Sequence, residues 1–359
     1  MVVPLGSALG LHKTLRSVIS FGLNDAGQVT FLAHHDEEGR DAGIYTTTVD
    51  GGATPRLVAA TGEAVPGVSQ YFITWFGPPQ IDGAGRVLFA ALGAHVDEQS
   101  GAMTTGSFLL TAQDGRLALL AAEGEQISGV GTLIASNTTG DEPVSPAAFF
   151  DLQVNERGDA LFLSAYLDAA SNAFVPAGLF LLSDGSLRLA AAIGQKAPLP
   201  MMPTYNSLSS PRLSDGGAIV FLAGTVGSGR KPRSALFRIY GSQTTPLALV
   251  GDAAPTVDGG FYRALQAPTL NAAGDVAFLA LLDGVQEVRR SGALYVSNGM
   301  DARLALGAGD DGAAAGTIVR MDDLSPAAPI AFLDDGSLLI AAREAGVSGS
   351  AGLFLVEPD

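Results

Sequence analysis

Polar and apolar positions alternate in blocks along this chain. A polar residue opens a short turn, a Gly closes it, and an apolar run follows. Six times a Gly is followed four residues later by a large apolar residue: Gly27–Phe31, Gly85–Phe89, Gly158–Phe162, Gly217–Phe221, Gly274–Phe278 and Gly336–Ile340. These glycines stand 58, 73, 59, 57 and 62 residues apart, which marks an internal repeat. In the fifth unit, residues 261–266 read as a strand, and Asn271-Ala272-Ala273-Gly274 as a type I turn leaving through a left-handed glycine. Residues 275–282 read as an apolar second strand covered on both faces. Residues 293–296 and 303–306 supply a third and a fourth strand, joined through Asn298-Gly299.

The other units repeat the plan, with turns at Asn24–Gly27, Asp82–Gly85, Asn155–Gly158 and Ser214–Gly217. Four short antiparallel strands per unit make one propeller blade. The expected fold is therefore all-β: a six-bladed β-propeller of four-stranded antiparallel blades, one domain over residues 1–359. An open solenoid and a pair of β-sandwiches are the competing architectures. The sixth unit reaches only its third strand, at residues 353–356. Val2, Val3 and Leu5 are expected to complete it, so that the N-terminal strand closes the last blade and leaves no sheet edge. In that unit Leu333 stands where Asn is expected, and the turn at Asp334–Ser337 reads as shifted. The stretch from Gly124 to Asp151 reads as an overlong crossing: a channel cap, a partner surface or a structural excursion.

Composition narrows the function. The chain carries 20 Lys and Arg against 36 Asp and Glu, a net charge of −16, so a nucleic-acid partner meets repulsion. The basic clusters at Arg230-Lys231-Pro232-Arg233 and Arg289-Arg290 read as solvated turns, with anion binding as the alternative. No Cys is present, which removes disulfides, thiolate zinc sites and a cysteine nucleophile. No run is long and apolar enough to span a membrane. Dinucleotide, phosphate-loop, EF-hand and serine-elbow motifs are missing, and no cofactor is expected.

Turns between first and second strands are short and alike, whereas connections at the opposite end of each unit vary. Binding surfaces favour variable loops on a rigid frame, so that end, the top face, is the candidate functional face. Arg16, Thr74, Asn206 and Arg263 each fall eleven residues before the turn Gly and are expected to ring the channel mouth. Arginines there suit a carboxylate, sulfate or phosphate, and Trp75, Tyr205 and Tyr262 suit stacking on a sugar. Arg320 is a further member whose register is open. The competing reading packs the aromatics between blades and leaves the arginines in solvent. No metal is expected. A metal or acid–base site at His34, His35, His95 and Asp97 is the weaker alternative, because the spacing matches no compact zinc motif.

The pattern Asn-x-x-Gly-x-Val-x-Phe-x-Ala, fullest at Asn271–Ala280 and joined by Gly-acid-x-x-Pro at Gly62–Pro66 and Gly251–Pro255, resembles repeats of uncharacterised bacterial secreted or surface β-propeller proteins. The resemblance spans nearly the whole chain. It implies a bacterial propeller with an extracytoplasmic or secreted, soluble location, and it transfers no catalytic residue. The expected function is a non-catalytic recognition scaffold binding a saccharide or protein through the top face. A polysaccharide lyase or glycoside hydrolase, and a structural or assembly protein, are the alternatives.

Overall fold

The computed structural model describes residues 15–50, 54–97, 99–134, 148–227, 231–255, 259–284, 292–299, 301–307, 311–312, 316–320, 331–344 and 351–356. They form six antiparallel sheets built largely from consecutive strands. The first holds β1 (Ser17–Leu23), β2 (Gln28–His34), β3 (Ala42–Thr48) and β4 (Arg56–Ala60). The second holds β5 (Phe72–Phe76) and β6 (Gln80–Ile81), both on β7 (Val87–Val96), then β8 (Met103–Gln113) and β9 (Arg116–Ala122). The third runs from β10 (Gln126–Ile127) and β11 (Gly131–Ile134) to β13 (Ala160–Asp168), β14 (Phe174–Ser183) and β15 (Ser186–Ala192), with β12 (Phe150–Val154) also on β13. Four strands each make the fourth sheet, β16 (Thr204–Leu213) to β19 (Gln243–Leu249) through β17 (Ile219–Val226) and β18 (Arg233–Tyr240), and the fifth, β20 (Phe261–Leu270) to β23 (Ala302–Gly307) through β21 (Val276–Asp283) and β22 (Gly292–Ser297). The sixth contains β24 (Asp311–Gly312), β25 (Gly316–Arg320), β26 (Ala331–Phe332), β27 (Leu338–Glu344) and β28 (Ala351–Val356). No helix among the described residues is long and apolar enough to cross a membrane.

The chain divides into two compact units, residues 1–191 and 192–359. In the first, one apolar cluster joins Ile44 and Ala59 of the first sheet to Ile73, Phe89 and Leu110 of the second. In the second, Val220 and Leu236 of the fourth sheet meet Phe278 and Tyr295 of the fifth. The apolar residue four after each turn Gly pairs across to the third strand: Phe31 with Tyr45, Phe89 with Leu110, Phe162 with Phe180, Phe221 with Phe237, Phe278 with Tyr295 and Ile340 with Phe354. Four of these pairs are stacked aromatics with ring centroids 5.5–5.8 Å apart. Such pairs contribute roughly 0.5–1.5 kcal/mol beyond the area they bury.

The turns have a chemical reason for their composition. In five units the first turn residue is buried, and its side-chain oxygen accepts the backbone N–H four residues on: Asn24 from Gln28, Asp82 from Arg86, Asn155 from Asp159, Ser214 from Ala218, Asn271 from Asp275, at 2.8–2.9 Å. Leu333 lacks that oxygen. Its turn nevertheless keeps the shared backbone bond, Gly336 N to Leu333 O at 3.0 Å, so the sixth turn is in register rather than shifted. Asp335 serves instead, accepting from Ser337 N at 2.8 Å.

Turns also bond to turns. Within the first unit, Asn24 Nδ2 donates to Asp82 O at 2.7 Å, and Gly83 N to Glu156 O at 3.1 Å. A Cβ on Gly83 would stand 2.8 Å from that carbonyl oxygen, so the approach requires glycine. Within the second unit, Gly216 N donates to Ala272 O and Ala272 N to Asp334 Oδ1.

The stretch after Gly124 differs from its expected form. Gly124 N reaches Leu133 O at 2.8 Å, as Gly62, Gly194 and Gly251 reach Ile73, Tyr205 and Tyr262. The crossing itself is therefore regular. The extra length sits inside the inner strand, because β11 and β12 pair with the same β13 on either side of residues 135–147. Those residues lie outside the described ones, as do Arg230, Arg289, Arg290 and the expected strand of residues 1–6 against 353–356.

Candidate functional site

The inner strands carry a repeated irregularity. Ile73 pairs with Gly93 and Trp75 with Leu92, so Thr74 is skipped. Tyr205 and Ser207 pair with Thr225 and Gly224, skipping Asn206. Tyr262 and Ala264 pair with Leu282 and Leu281, skipping Arg263. In the first sheet Ser17 takes the corresponding pairing with His34, and the preceding Arg16 donates its backbone N–H to His34 O at 3.0 Å. A bulge puts an extra residue opposite one partner and re-aims its side chain.

The first sheet has its register shift at Ile19 instead, yet the order of anchor and exposed residue is the same in all four sheets. A buried anchor, Leu15, Ile73, Tyr205 or Tyr262, 0–4% exposed, is followed by an exposed Arg16, Thr74, Asn206 or Arg263. Each unit therefore presents two such side chains. Arg263 has only a loose ion pair, Nε to Asp283 Oδ1 at 3.7 Å, with both groups about half exposed. Trp75 adjoins Thr74 and is 39% exposed. The first unit thus carries an exposed cation, hydroxyl and aromatic face in Arg16, Thr74 and Trp75, and the second an exposed amide and cation in Asn206 and Arg263.

Tyr205 and Tyr262, expected to stack on a sugar, are buried at 4% exposure. Tyr205 meets the Phe237 ring edge-on at 5.2 Å, and Tyr262 meets Tyr295 at 5.3 Å. Burial pushes the Tyr205 phenol up to about 12 and raises that of Tyr262 further. Both rings anchor the core, and the bulge separates each from the exposed side chain that follows. Arg320 stands one step beyond the bulge position. Ile318 pairs with Glu344 and Arg320 with Arg343, so Val319 is the skipped residue of the sixth sheet. The sixth unit has more residues between bulge and turn, which displaces the count of eleven.

The histidine set has other partners. His35 Nε2 lies 3.0 Å from the Tyr45 hydroxyl, the His34 ring packs beside Gly39, and His95 tilts against Tyr71. Asp97 closes its own hairpin, accepting from the Ser100 hydroxyl and N–H at 2.7 Å and from Gln99 N at 3.1 Å. Hydrogen bonds from Ser100 hold its carboxyl below the usual range. Asp168 closes the equivalent hairpin of the third sheet through Ser171 in the same way, with no histidine beside it in sequence. Among the described residues no group of three or more His, Asp or Glu side chains is placed to hold a metal ion.

A family model described as a family of unknown function (DUF7453) matches residues 3–141 and 154–357. No curated protein matches. Among solved structures, the chain is similar to the β-propeller domain of the trilobed protease from Pyrococcus furiosus, at 10% identity and TM-score 0.49, covering 95% of this chain and 83% of that one. It is similar to a protein of unknown function from Dyadobacter fermentans, at 14% identity and TM-score 0.40, covering 94% of each chain. It is also similar to an ulvan lyase of polysaccharide lyase family PL25 bound to -[GlcA(1-4)Rha3S]-, at 10% identity and TM-score 0.41, covering 93% of this chain and 78% of that one.

Proposed function

The chain belongs to the family of unknown function (DUF7453), and we propose that it binds a saccharide bearing acidic groups at the bulged end of its inner strands. The repeated bulge is the observation that carries this reading. It sets an exposed polar side chain after a buried anchor in three sheets, and Arg16 follows the buried Leu15 at the same step of the first, whose own register shift falls at Ile19; two of the four are arginines, which match carboxylate and sulfate geometry. Trp75 supplies an apolar face for a sugar ring.

The proposal includes the architecture that joins these positions: one closed six-bladed propeller over residues 1–359, with residues 1–6 completing the sixth blade. Recurrence of the strand order supports it, and so does an asymmetry in burial. The residue six before the turn Gly is buried in the second to fifth sheets, at Pro79, Leu152, Pro211 and Pro268. In the first it is Phe21, 70% exposed, beside Leu23 at 57%. Ring closure would cover both. An extracytoplasmic location, where such saccharides are met, belongs to the same proposal.

The test is calorimetric titration of the full chain with oligogalacturonate, a sulfated oligosaccharide and a neutral cello-oligosaccharide. The acidic ligands should bind, and Arg16→Ala with Arg263→Ala should weaken them about tenfold or more, as expected for lost charged hydrogen bonds. Equal binding of the neutral sugar, or unchanged affinity in a folded double variant, overturns the reading. Cleavage by a lyase or hydrolase reaction is the second reading. Products released during the same titrations would establish it. Ulvan cleavage is a property of the similar structure and supplies no residue here.

A further inference from the structure

Away from the bulges, the second unit contains a cavity of about 550 Å³, within the range of small-molecule sites. It lies between the crossing that leads into β16 and the outer half of the fourth sheet. One wall is Leu199, Pro200 and Met201 of the crossing, and the other is Pro246–Leu249 of β19. Three ionisable groups meet at its edge: Lys231, Arg233 and Asp252.

Their charges differ in availability. Arg233 is held, with Nη2 on Asp252 Oδ1 at 2.7 Å and Nε on Val250 O at 2.7 Å. Lys231 is exposed and has no ion-pair partner among the described residues. Two cations and one carboxylate leave a single net positive charge. The basic cluster read from the sequence as a solvated turn therefore stands, in part, at the edge of an apolar cleft.

The crossing carries a second observation that points to a ligand. Met201 and Met202 follow one another in the left-handed region, at φ 68 and 45, and are 74% and 59% exposed. In three other crossings, among the described residues, a glycine takes a left-handed position, at Gly67, Gly129 and Gly259, with Gln70 joining it in the first. A side chain there is strained, because its Cβ crowds the following carbonyl oxygen. The loop holds the strain through Ala197 N to Pro203 O at 2.7 Å and Met202 N to Leu199 O at 2.9 Å, reinforced by Pro198, Pro200 and Pro203. Such strain persists where surrounding structure over-determines it, and it clusters at ligand clamps. Methionine is an adaptable apolar contact.

We propose that this cleft is a binding site for a small amphipathic monoanion, a carboxylate on an apolar body, with Lys231 pairing the carboxylate and Leu199, Met201 and Leu247 covering the body. A doubly charged phosphate matches the single net charge less well, and a neutral apolar molecule leaves Lys231 unused.

The test uses the full chain and the fluorescent monoanion anilinonaphthalene sulfonate, displaced by octanoate, octanol or octylammonium. Octanoate should displace it at about tenfold lower concentration than octanol, with octylammonium weakest, since a charged hydrogen bond is worth about a tenfold change or more. Lys231→Ala should erase the octanoate advantage. Met201→Gly with Met202→Gly, which also removes backbone strain, should weaken all ligands while raising the melting temperature. Equal displacement by octanoate and octanol, an unchanged Lys231→Ala variant, or no dye binding by folded protein refutes the site. Arg16→Ala with Arg263→Ala should leave dye binding intact, so failure here is distinguishable from failure at the bulges.

Discussion

A side-chain oxygen at the first turn position does the work of a backbone group in five units, and this is the clearest residue-scale cause in the molecule. The oxygen is buried and satisfied, so removing it strands the N–H four residues on. Asn271→Ala should cost about 1–3 kcal/mol in chemical denaturation, the penalty for a buried unsatisfied polar group. Leu333 offers the reverse experiment. Its turn has the same backbone bond, and the Ser337 N–H that an oxygen there would meet already donates to Asp335 Oδ1, so Leu333→Asn should change stability by less than about 0.5 kcal/mol. A larger loss on that substitution would show that the sixth turn differs in more than its side chain. The turn composition was legible in the sequence because Asn, Asp and Ser share this chemistry. The contact of Gly83 with Glu156 was not, because residues 73 apart in sequence meet only when two sheets pack.

The inner strands of the second, fourth and fifth sheets combine an anchor facing the core with a bulged residue facing solvent. The count of eleven residues before the turn Gly located Arg16, Thr74, Asn206 and Arg263, because strand length between that step and the turn is constant in those units. Nothing in residue type signalled the bulge, so Tyr205 and Tyr262 read equally well as ligand contacts. Packing buries both rings against Phe237 and Tyr295. The alkaline titration follows from that burial. Tyr205 and Tyr295 ionise near 12 in the fold against about 10 when unfolded. A raised acid pKa stabilises fully below the unfolded value and is lost as pH climbs through the folded one. Stability should therefore fall between about pH 10 and 12, with tyrosinate absorbance from these rings appearing together with unfolding. Tyr205→Phe should soften that fall; phenolate signal from both rings in the folded protein would show that they are accessible.

At the scale of the whole molecule, ring closure is testable because the chain has no Cys. Cysteine pairs placed one by one between residues 2–5 and 353–356 should include at least one that oxidises in the native monomer, since neighbouring strands bring Cβ atoms within disulfide reach. No cross-link in any pair would remove the proposed closure. Sequence alone determined the number of repeats, the strand order within each and the identity of the turns, since all three are written in local periodicity and hydrogen-bonding chemistry. It misplaced the excess length after Gly124 in the crossing, because only pairing of β11 and β12 with one partner shows an inner strand that is interrupted. Tertiary structure alone decided which side chains are free to act. Exposure and the approach of Lys231 to an apolar cleft arise from elements remote in sequence, and local pattern carries no record of them.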